Sequence, residues 1–259
     1  MNAVLYPVYH QPYIQPSADY IIPIQVGRDI TDLRLPMVGD DTGNNISSLN
    51  KNFSELTAHW WIWKNNPSSY DAWGICHYRR YFCLDMHWTH FKKKDIYKVQ
   101  SIPGNLNKIC SPMLHEKINL LLSKHDLILP RKLPCYTLKG NVSTIESQYK
   151  EDHEAGDWEK MITLVLQKYP EYKKSISFFE TETTMSFYNM LIAKRNLWNG
   201  YLEWLFSILF PLNELIQPSS DPYQQRAVAF MAERLLNLYV YHNQLNQAYL
   251  PTALLSESV

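Results

Sequence analysis

Two short apolar runs with an amphipathic stretch between them constrain this chain more than any other feature. The first is Ala72-Trp73-Gly74-Ile75-Cys76 and the second is Asp126-Leu127-Ile128-Leu129-Pro130. Both are too short for helices and read as buried strands. Between them, Leu114, Ile118, Leu121 and Leu122 share one face of a helix predicted over residues 114–124. Parallel strands cannot be joined by a tight turn, so strand, helix and strand in this order read as a crossover unit. The expected fold class is α/β with a mostly parallel central sheet.

The rest of the chain fits that frame. Residues 4–9 and 20–26 are β-branched and aromatic and read as strands or extended segments. A helix is predicted from about Asn52, capped by Asn52 with Glu55 three residues on, and ended by Pro67. Its Phe53, Leu56, Trp60 and Trp63 form the stripe expected to be buried. Further helices are predicted over 157–168, 197–209 and 222–241, the last with Asp221 as cap and Pro222 at its first position. Residues 186–193 read as a strand. The outcome is an α/β half followed by a helical C-terminal third, with no linker that divides the chain.

Charge and cysteine usage narrow the function. Lysine plus arginine number 25 and aspartate plus glutamate number 25, so the chain does not read as a nucleic-acid binder. Cys76, Cys83, Cys110 and Cys135 form no CxxC pair, which argues against a zinc knuckle or a redox motif. The start, Met1-Asn2-Ala3-Val4-Leu5-Tyr6-Pro7, has no charged region and no long apolar core, so reduced thiols and a cytoplasmic location are expected. The most apolar window, 201–212, holds Glu203 and Pro211 and falls short of the roughly 20 residues a bilayer needs. The Lys92-Lys93-Lys94 run beside Trp88 and Phe91 is either a solvated loop or a peripheral contact with the inner face of the plasma membrane.

The strongest chemical feature is His77-Tyr78-Arg79-Arg80, at the end of the first apolar run. Ligands in open α/β sheets bind beyond the carboxyl ends of strands. Two arginines there can grip a diphosphate through forked, charge-assisted hydrogen bonds. The plainer alternative is a surface ion-pair cluster. A second feature is Gly39-Asp40-Asp41-Thr42-Gly43-Asn44-Asn45. Its acids and amides could bind sugar hydroxyls or supply a general base, and they are equally the ordinary formers of turns. Lys64, at the end of the tryptophan helix, could reach a ligand or satisfy the last carbonyls. His153 lies in a polar knot with Asp152 and Glu154, near Gln148-Tyr149. Arg226 and Glu233-Arg234 read most simply as internal ion pairs. Glycine numbers only 8, and no GxxxxGK[ST], GxGxxG, HExxH, GxSxG or Asp-x-Asp motif is present.

Taken in order, several segments resemble a known family. They are Pro23-Ile24-Gln25-Val26-Gly27, Asp40-Asp41-Thr42-Gly43-Asn44-Asn45-Ile46-Ser47, Asn50, Glu55-Leu56-Thr57 and Trp61-Ile62-Trp63-Lys64-Asn65. Gly74-Ile75-Cys76-His77-Tyr78-Arg79-Arg80-Tyr81-Phe82 follows. Tyr188-Asn189-Met190, residues 201–206, Tyr223-Gln224-x-Arg226 and Glu233-Arg234-Leu235 extend the match over nearly the whole chain. Together they are similar to a bacterial polysaccharide-locus glycosyltransferase family long catalogued as a domain of unknown function. Its members sit in capsule, exopolysaccharide and O-antigen clusters, and some transfer galactofuranose. One departure is Ala58-His59-Trp60-Trp61, where the family more often has a leucine-tyrosine pair, which argues against a role for His59.

The resemblance implies a GT-A-like nucleotide-sugar fold in one domain over residues 1–259. Residues 1–135 would form the nucleotide-sugar part, and 136–259 the helix-rich acceptor side. It implies a nucleoside-diphosphate sugar donor, UDP-linked by analogy, and a lipid-linked or oligosaccharide acceptor. The residues add a mechanism. His77, Arg79 and Arg80 are expected to replace a metal ion under the departing diphosphate, with Asn44, Asn45 and Lys64 also on the donor. No cofactor is expected, although a divalent metal stays open. Asp41, then Asp40, is expected to be the catalytic base of an inverting transfer, and His153, Asn189, Arg226 and Glu233 to face the acceptor. The alternative is a non-catalytic sugar-binding subunit that assists a partner transferase.

Overall fold

A computed structural model describes residues 1–65, 69–86, 92–93, 96–217 and 219–257. Its first half contains β1 (Ala3–Tyr9), β2 (Ile24–Gln25), β3 (Val38–Gly39), α1 (Asn50–Phe53) and α2 (Leu56–Asn65). It continues with β4 (Ala72–His77), β5 (Arg80–Phe82), β6 (Lys92–Lys93), β7 (Ile96–Gln100), α3 (Pro103–Ile109) and α4 (Pro112–Leu122). Then come β8 (Leu127–Pro130), β9 (Leu133–Pro134), α5 (Ile145–Asp152), α6 (Ala155–Lys168), α7 (Ser177–Thr181) and β10 (Thr184–Met185). β11 (Ile192–Lys194), α8 (Arg195–Leu215), α9 (Ala227–His242), β12 (Gln247–Leu250) and β13 (Thr252–Ser256) complete the fold.

The sheet is mixed, and its longest ladders are parallel. β1 pairs with β4 from Ala3↔Ala72 to Val8↔His77, and β2 and β3 extend the parallel set beyond β1. On the other edge of β4, β11 runs antiparallel and separates it from β8. β4 and β8 therefore point the same way, as the crossover expectation requires. β12 lies parallel to β8. After Pro251 the chain crosses to the other end of the same sheet, where β13 lies between β5 and β7 and β5 joins β4.

Alternation along β1 sorts the core into two layers. Val4, Tyr6 and Val8 face the cluster built by α2, α5, α6, α8 and α9. Ala3 and Leu5 face the cluster built by α3 and α4, with Leu106, Leu114, Ile118 and Leu122. A sheet covered on both faces needs apolar residues at both parities, which is why the strands read as unbroken apolar runs. Gly74 fills a gap only a glycine fits. A Cβ there would stand 2.4 Å from Leu5 Cδ2 and 2.8 Å from Ile192 Cγ1, and overpacking of that kind costs about 1–3 kcal/mol.

Several boundaries differ from expectation. The helix expected from Asn52 is two helices broken at Ser54, whose φ is 48°. Asn50 Nδ2 donates to the Ser54 carbonyl at 2.7 Å and holds the break. Asn52 lies inside α1 and donates to Asn213, so it caps nothing. The buried face of α2 is Leu56, Ala58, His59, Trp61 and Ile62, whereas Trp60 and Trp63 are half-buried against Phe206. The strand expected over 186–193 is interrupted by Tyr188 (φ 80°) and Asn189 (φ 51°), and only Ile192–Lys194 joins the sheet. α8 runs through Pro211 to Leu215 because its apolar face is buried along the whole length. α9 begins at Ala227, not Pro222; Asp221 instead accepts from the Tyr223 N–H at 2.9 Å and caps the preceding turn.

All four cysteines are free and buried. No helix among the described residues is long and apolar enough to cross a membrane. Pro67 and the basic run with Trp88 and Phe91 lie outside the described residues, apart from the backbone at 92–93.

Candidate functional site

β4 ends at His77, and the His77↔Arg80 pairing folds the chain straight back into β5. Tyr78 and Arg79 form the turn. The Tyr78 N–H bonds to the Val8 carbonyl at 3.0 Å, and the Arg79 carbonyl accepts from Leu255 N–H of β13 at 2.8 Å. The hairpin is thus tied on both sides, with its guanidiniums at the carboxyl ends of β1 and β4. There it forms one wall of a cleft of about 750 Å³. His10, the Ser54–Glu55 break, Gln148, His153 and Tyr188 line it further. The start of α9 and the turn before it also line the cleft, with Tyr223, Arg226, Phe230, Glu233 and Arg234.

The inner end of the cleft is organised by the left-handed pair Tyr188–Asn189. Their positive φ angles turn two successive carbonyls toward two histidines. His77 Nε2 donates to the Tyr188 carbonyl at 2.6 Å, and His59 Nε2 lies 3.1 Å from that of Asn189. The Tyr188 N–H donates to Glu233 Oε1 at 2.9 Å, and Asn189 Nδ2 donates to Glu55 Oε1 at 2.6 Å. Two carboxylates, Glu55 and Glu233, therefore hang on neighbouring groups of one loop. Glu233 Oε2 also pairs with Arg234 at 3.1 Å. Burial pushes the Glu233 carboxyl up to about 7; Glu55 adds to the rise, while Arg234, the Tyr188 N–H and Arg80 oppose it.

Arg79 lies over the Tyr78 ring at 5.2 Å and Arg80 over Tyr188 at 4.7 Å. Among the described residues neither pairs with a carboxylate. The surface ion-pair alternative for this hairpin therefore finds no support. His77 departs from expectation. Burial lowers its pKa below the usual value, and its Nε2–H is already committed to Tyr188. It is a neutral positioning group, so the cationic corner is formed by the two arginines alone.

The expected base and half of the expected donor residues fall outside the cleft. Asp40 is fully buried and accepts from Gly27 N–H, Arg28 N–H, Ser47 Oγ and Thr57 Oγ1 at 3.0, 3.2, 2.6 and 2.6 Å. No acceptor hydroxyl can approach it. Asp41 leans on Arg28 at 3.6 Å. Asn44 bonds with Asn65 and Trp60, and Asn45 bonds back to Gly43 and Ser47. Lys64 sits over Trp63 at 3.3 Å. Asn45 alone does ordinary turn chemistry, satisfying the adjacent backbone; Asp40, Asp41 and Asn44 instead tie the segment to residues 27–28, 57, 60 and 65.

On the acceptor side, His153, Arg226 and Glu233 do line the cleft. His153 donates through Nδ1 to Gln224 Oε1 at 3.1 Å and stacks on Phe230. Asn189 is buried behind the wall and acts through Glu55 and Ala229. Arg226 has no carboxylate partner among the described residues, so the expected ion pair joins Glu233 to Arg234 only. Glu55 was missed as a site residue because its position reads as a helix cap. The signal for the Tyr188–Asn189 turn was the asparagine, which tolerates positive φ better than most residues. Among the described residues no group of three or more His, Cys, Asp or Glu side chains could hold a metal ion.

Residues 4–244 match the model of a family described as "Domain of unknown function (DUF4422)". Among solved structures, the WbbM bifunctional glycosyltransferase in its apo form superposes with a TM-score of 0.89 at 29% identity. The match covers 99% of this chain and 46% of that one, so the chain spans about half the length of that protein. No curated protein matches. The shared architecture is the α/β fold with helical C-terminal part expected from the sequence.

Proposed function

The chain belongs to the DUF4422 family, and on that footing we propose that it is a glycosyltransferase that moves a sugar from a nucleoside diphosphate to a glycan acceptor. The observation that carries this reading is a pair of guanidiniums with no carboxylate partner among the described residues, at the carboxyl end of the central strands, in one cleft with a carboxylate whose pKa is raised to about 7. The first suits a leaving diphosphate and the second a base that works near neutrality.

Arg79 and Arg80 hold the diphosphate through in-plane N–H donors. Glu233, not Asp41, takes the acceptor proton. The acceptor oxygen then bonds to the anomeric carbon as the bond to the diphosphate breaks. The proton ends on Glu233, and the electron pair leaves with the diphosphate, whose charge the arginines neutralise. Attack from the face opposite the leaving group inverts the anomeric centre. The Tyr188 N–H holds Glu233 Oε1 in place, and His77 holds the Tyr188 carbonyl. A guanidinium pair where a carboxylate-bound metal could stand supports a metal-independent reaction. UDP as nucleotide, galactofuranose as one donor sugar, a lipid-linked or oligosaccharide acceptor of a bacterial surface polysaccharide, and a cytoplasmic location complete the proposal.

The competing reading, a sugar-binding subunit without activity, would keep the arginines but has no use for a poised base. Incubating the purified chain with UDP-sugars, an acceptor glycan and EDTA separates the readings. Acceptor-dependent release of UDP in EDTA is the expected result. Strict dependence on manganese would sink the metal-independent mechanism. Nucleotide binding without turnover would leave the binding subunit.

A further inference from the structure

The cleft wall at the start of α9 carries a cation, Arg226, that pairs with no carboxylate among the described residues. Arg226 closes the turn Gln224–Arg226 and stands at the N-cap position of α9, a helix of 16 residues. The N-terminal end of a helix is its positive pole, so a cation there is disfavoured and an anion is favoured. No acidic residue occupies the first turn of α9, and no side chain caps it.

The side chain is nonetheless held in place. Its guanidinium lies over Tyr223 at 4.7 Å and Phe230 at 5.2 Å, and both rings line the cleft. Stacking occupies the faces of a guanidinium and leaves its in-plane N–H donors for a ligand. Deeper in the same wall Arg234, only 2% exposed, leaves its Nε without a partner. His10, open at the mouth, and His153 are both pushed toward the neutral form. Desolvation is the main cause, and Arg226 contributes to each, after Arg79 and His77 for His10 and after Arg234 for His153. Arg226 and Arg234 thus act together on His153, with Asp152 opposing them.

We propose that Arg226 forms a second oxyanion subsite, for a phosphate or diphosphate group, in the cleft that Arg79 and Arg80 also line. The transferase reading bears only on the source of that phosphate. It is either the far side of the donor diphosphate or an acidic group on the acceptor.

Calorimetric titration of wild type and Arg226→Gln with inorganic diphosphate, UDP and uridine tests the subsite. Diphosphate affinity should fall about tenfold or more in the variant, the loss expected for one charge-assisted contact. If the donor is the source, UDP weakens by a similar factor and uridine does not. If the acceptor is the source, UDP binding holds within about twofold, and the diphosphate that still binds UDP-saturated wild type is lost. Removing a cation from the positive pole of α9 should leave the empty variant melting no lower than wild type. Arg226→Lys, which keeps charge without the fork, should fall between the two. Unchanged diphosphate binding in both arms, or a lower melting temperature with unchanged affinity, overturns the subsite. Arg226-dependent diphosphate binding in a chain that binds no nucleotide would sink the transferase reading and leave the subsite standing.

Discussion

Asp40 and Glu233 are both acids withdrawn from water, and their surroundings treat them in opposite ways. Asp40 receives four donors, two from backbone N–H groups and two from hydroxyls. Glu233 has one backbone donor and one arginine, with Glu55 adding to its raised pKa. The first region is closed and satisfied. The second is left out of balance beside an open cleft and three arginines, Arg79, Arg80 and Arg226, that have no carboxylate partner among the described residues. Burial alone therefore does not mark a reactive carboxylate; burial that the fold leaves uncompensated does.

The comparison can be broken experimentally. The largest effect should come from Glu233→Gln, with turnover down about a thousandfold, as expected for loss of a general base. Donor affinity should hold within about threefold by titration. Retained turnover would move the base to Glu55 or Asp152. Next, Arg79→Ala and Arg80→Ala should each lower turnover about a hundredfold. The Glu233 pKa near 7 sets the pH profile. The base must be ionised, so kcat/KM should climb about tenfold per unit below pH 7 and level off above it. A limb near pH 4.5 would indicate a solvated base instead. Smallest on turnover, and largest on stability, is Asp40→Asn. It should cost about 3 kcal/mol in denaturant unfolding by leaving buried donors short of an acceptor, while the folded fraction keeps near-normal kcat. A dead but stable Asp40→Asn protein would reverse the roles assigned to the two acids. A separate check on ligand class is thermal: UDP at about 100 times its Kd should add about 2.7 kcal/mol of stability.

The strands and most helices were legible because their apolar spacing is strong. Residues 72–76 and 126–130 lie where a doubly covered sheet needs continuous apolar runs. The hairpin arginines were legible for the same reason, since a charged quartet directly after a buried strand has few places to go. The base was not. Asp41 and Asp40 sit among glycines and asparagines, and composition alone cannot separate a turn that binds a ligand from one that binds itself. Glu233 looked like one half of a pair with its neighbour Arg234. Only the fold brings it to Tyr188, 45 residues earlier, and places Glu55 across from it. The break at Ser54 was hidden too, because it depends on Asn50 reaching forward to one carbonyl, a contact that leaves the apolar pattern unchanged.

The last strand has a consequence for how the protein comes into being. β13 pairs with β5 behind the arginine hairpin, and its Leu255 N–H grips the Arg79 carbonyl. During synthesis the hairpin is made early but gains this backing only when residues 252–256 have emerged. The proposed diphosphate corner therefore waits on a strand made long after it, and a ribosome-bound fragment stopped before that strand would hold the hairpin from the Val8 side alone.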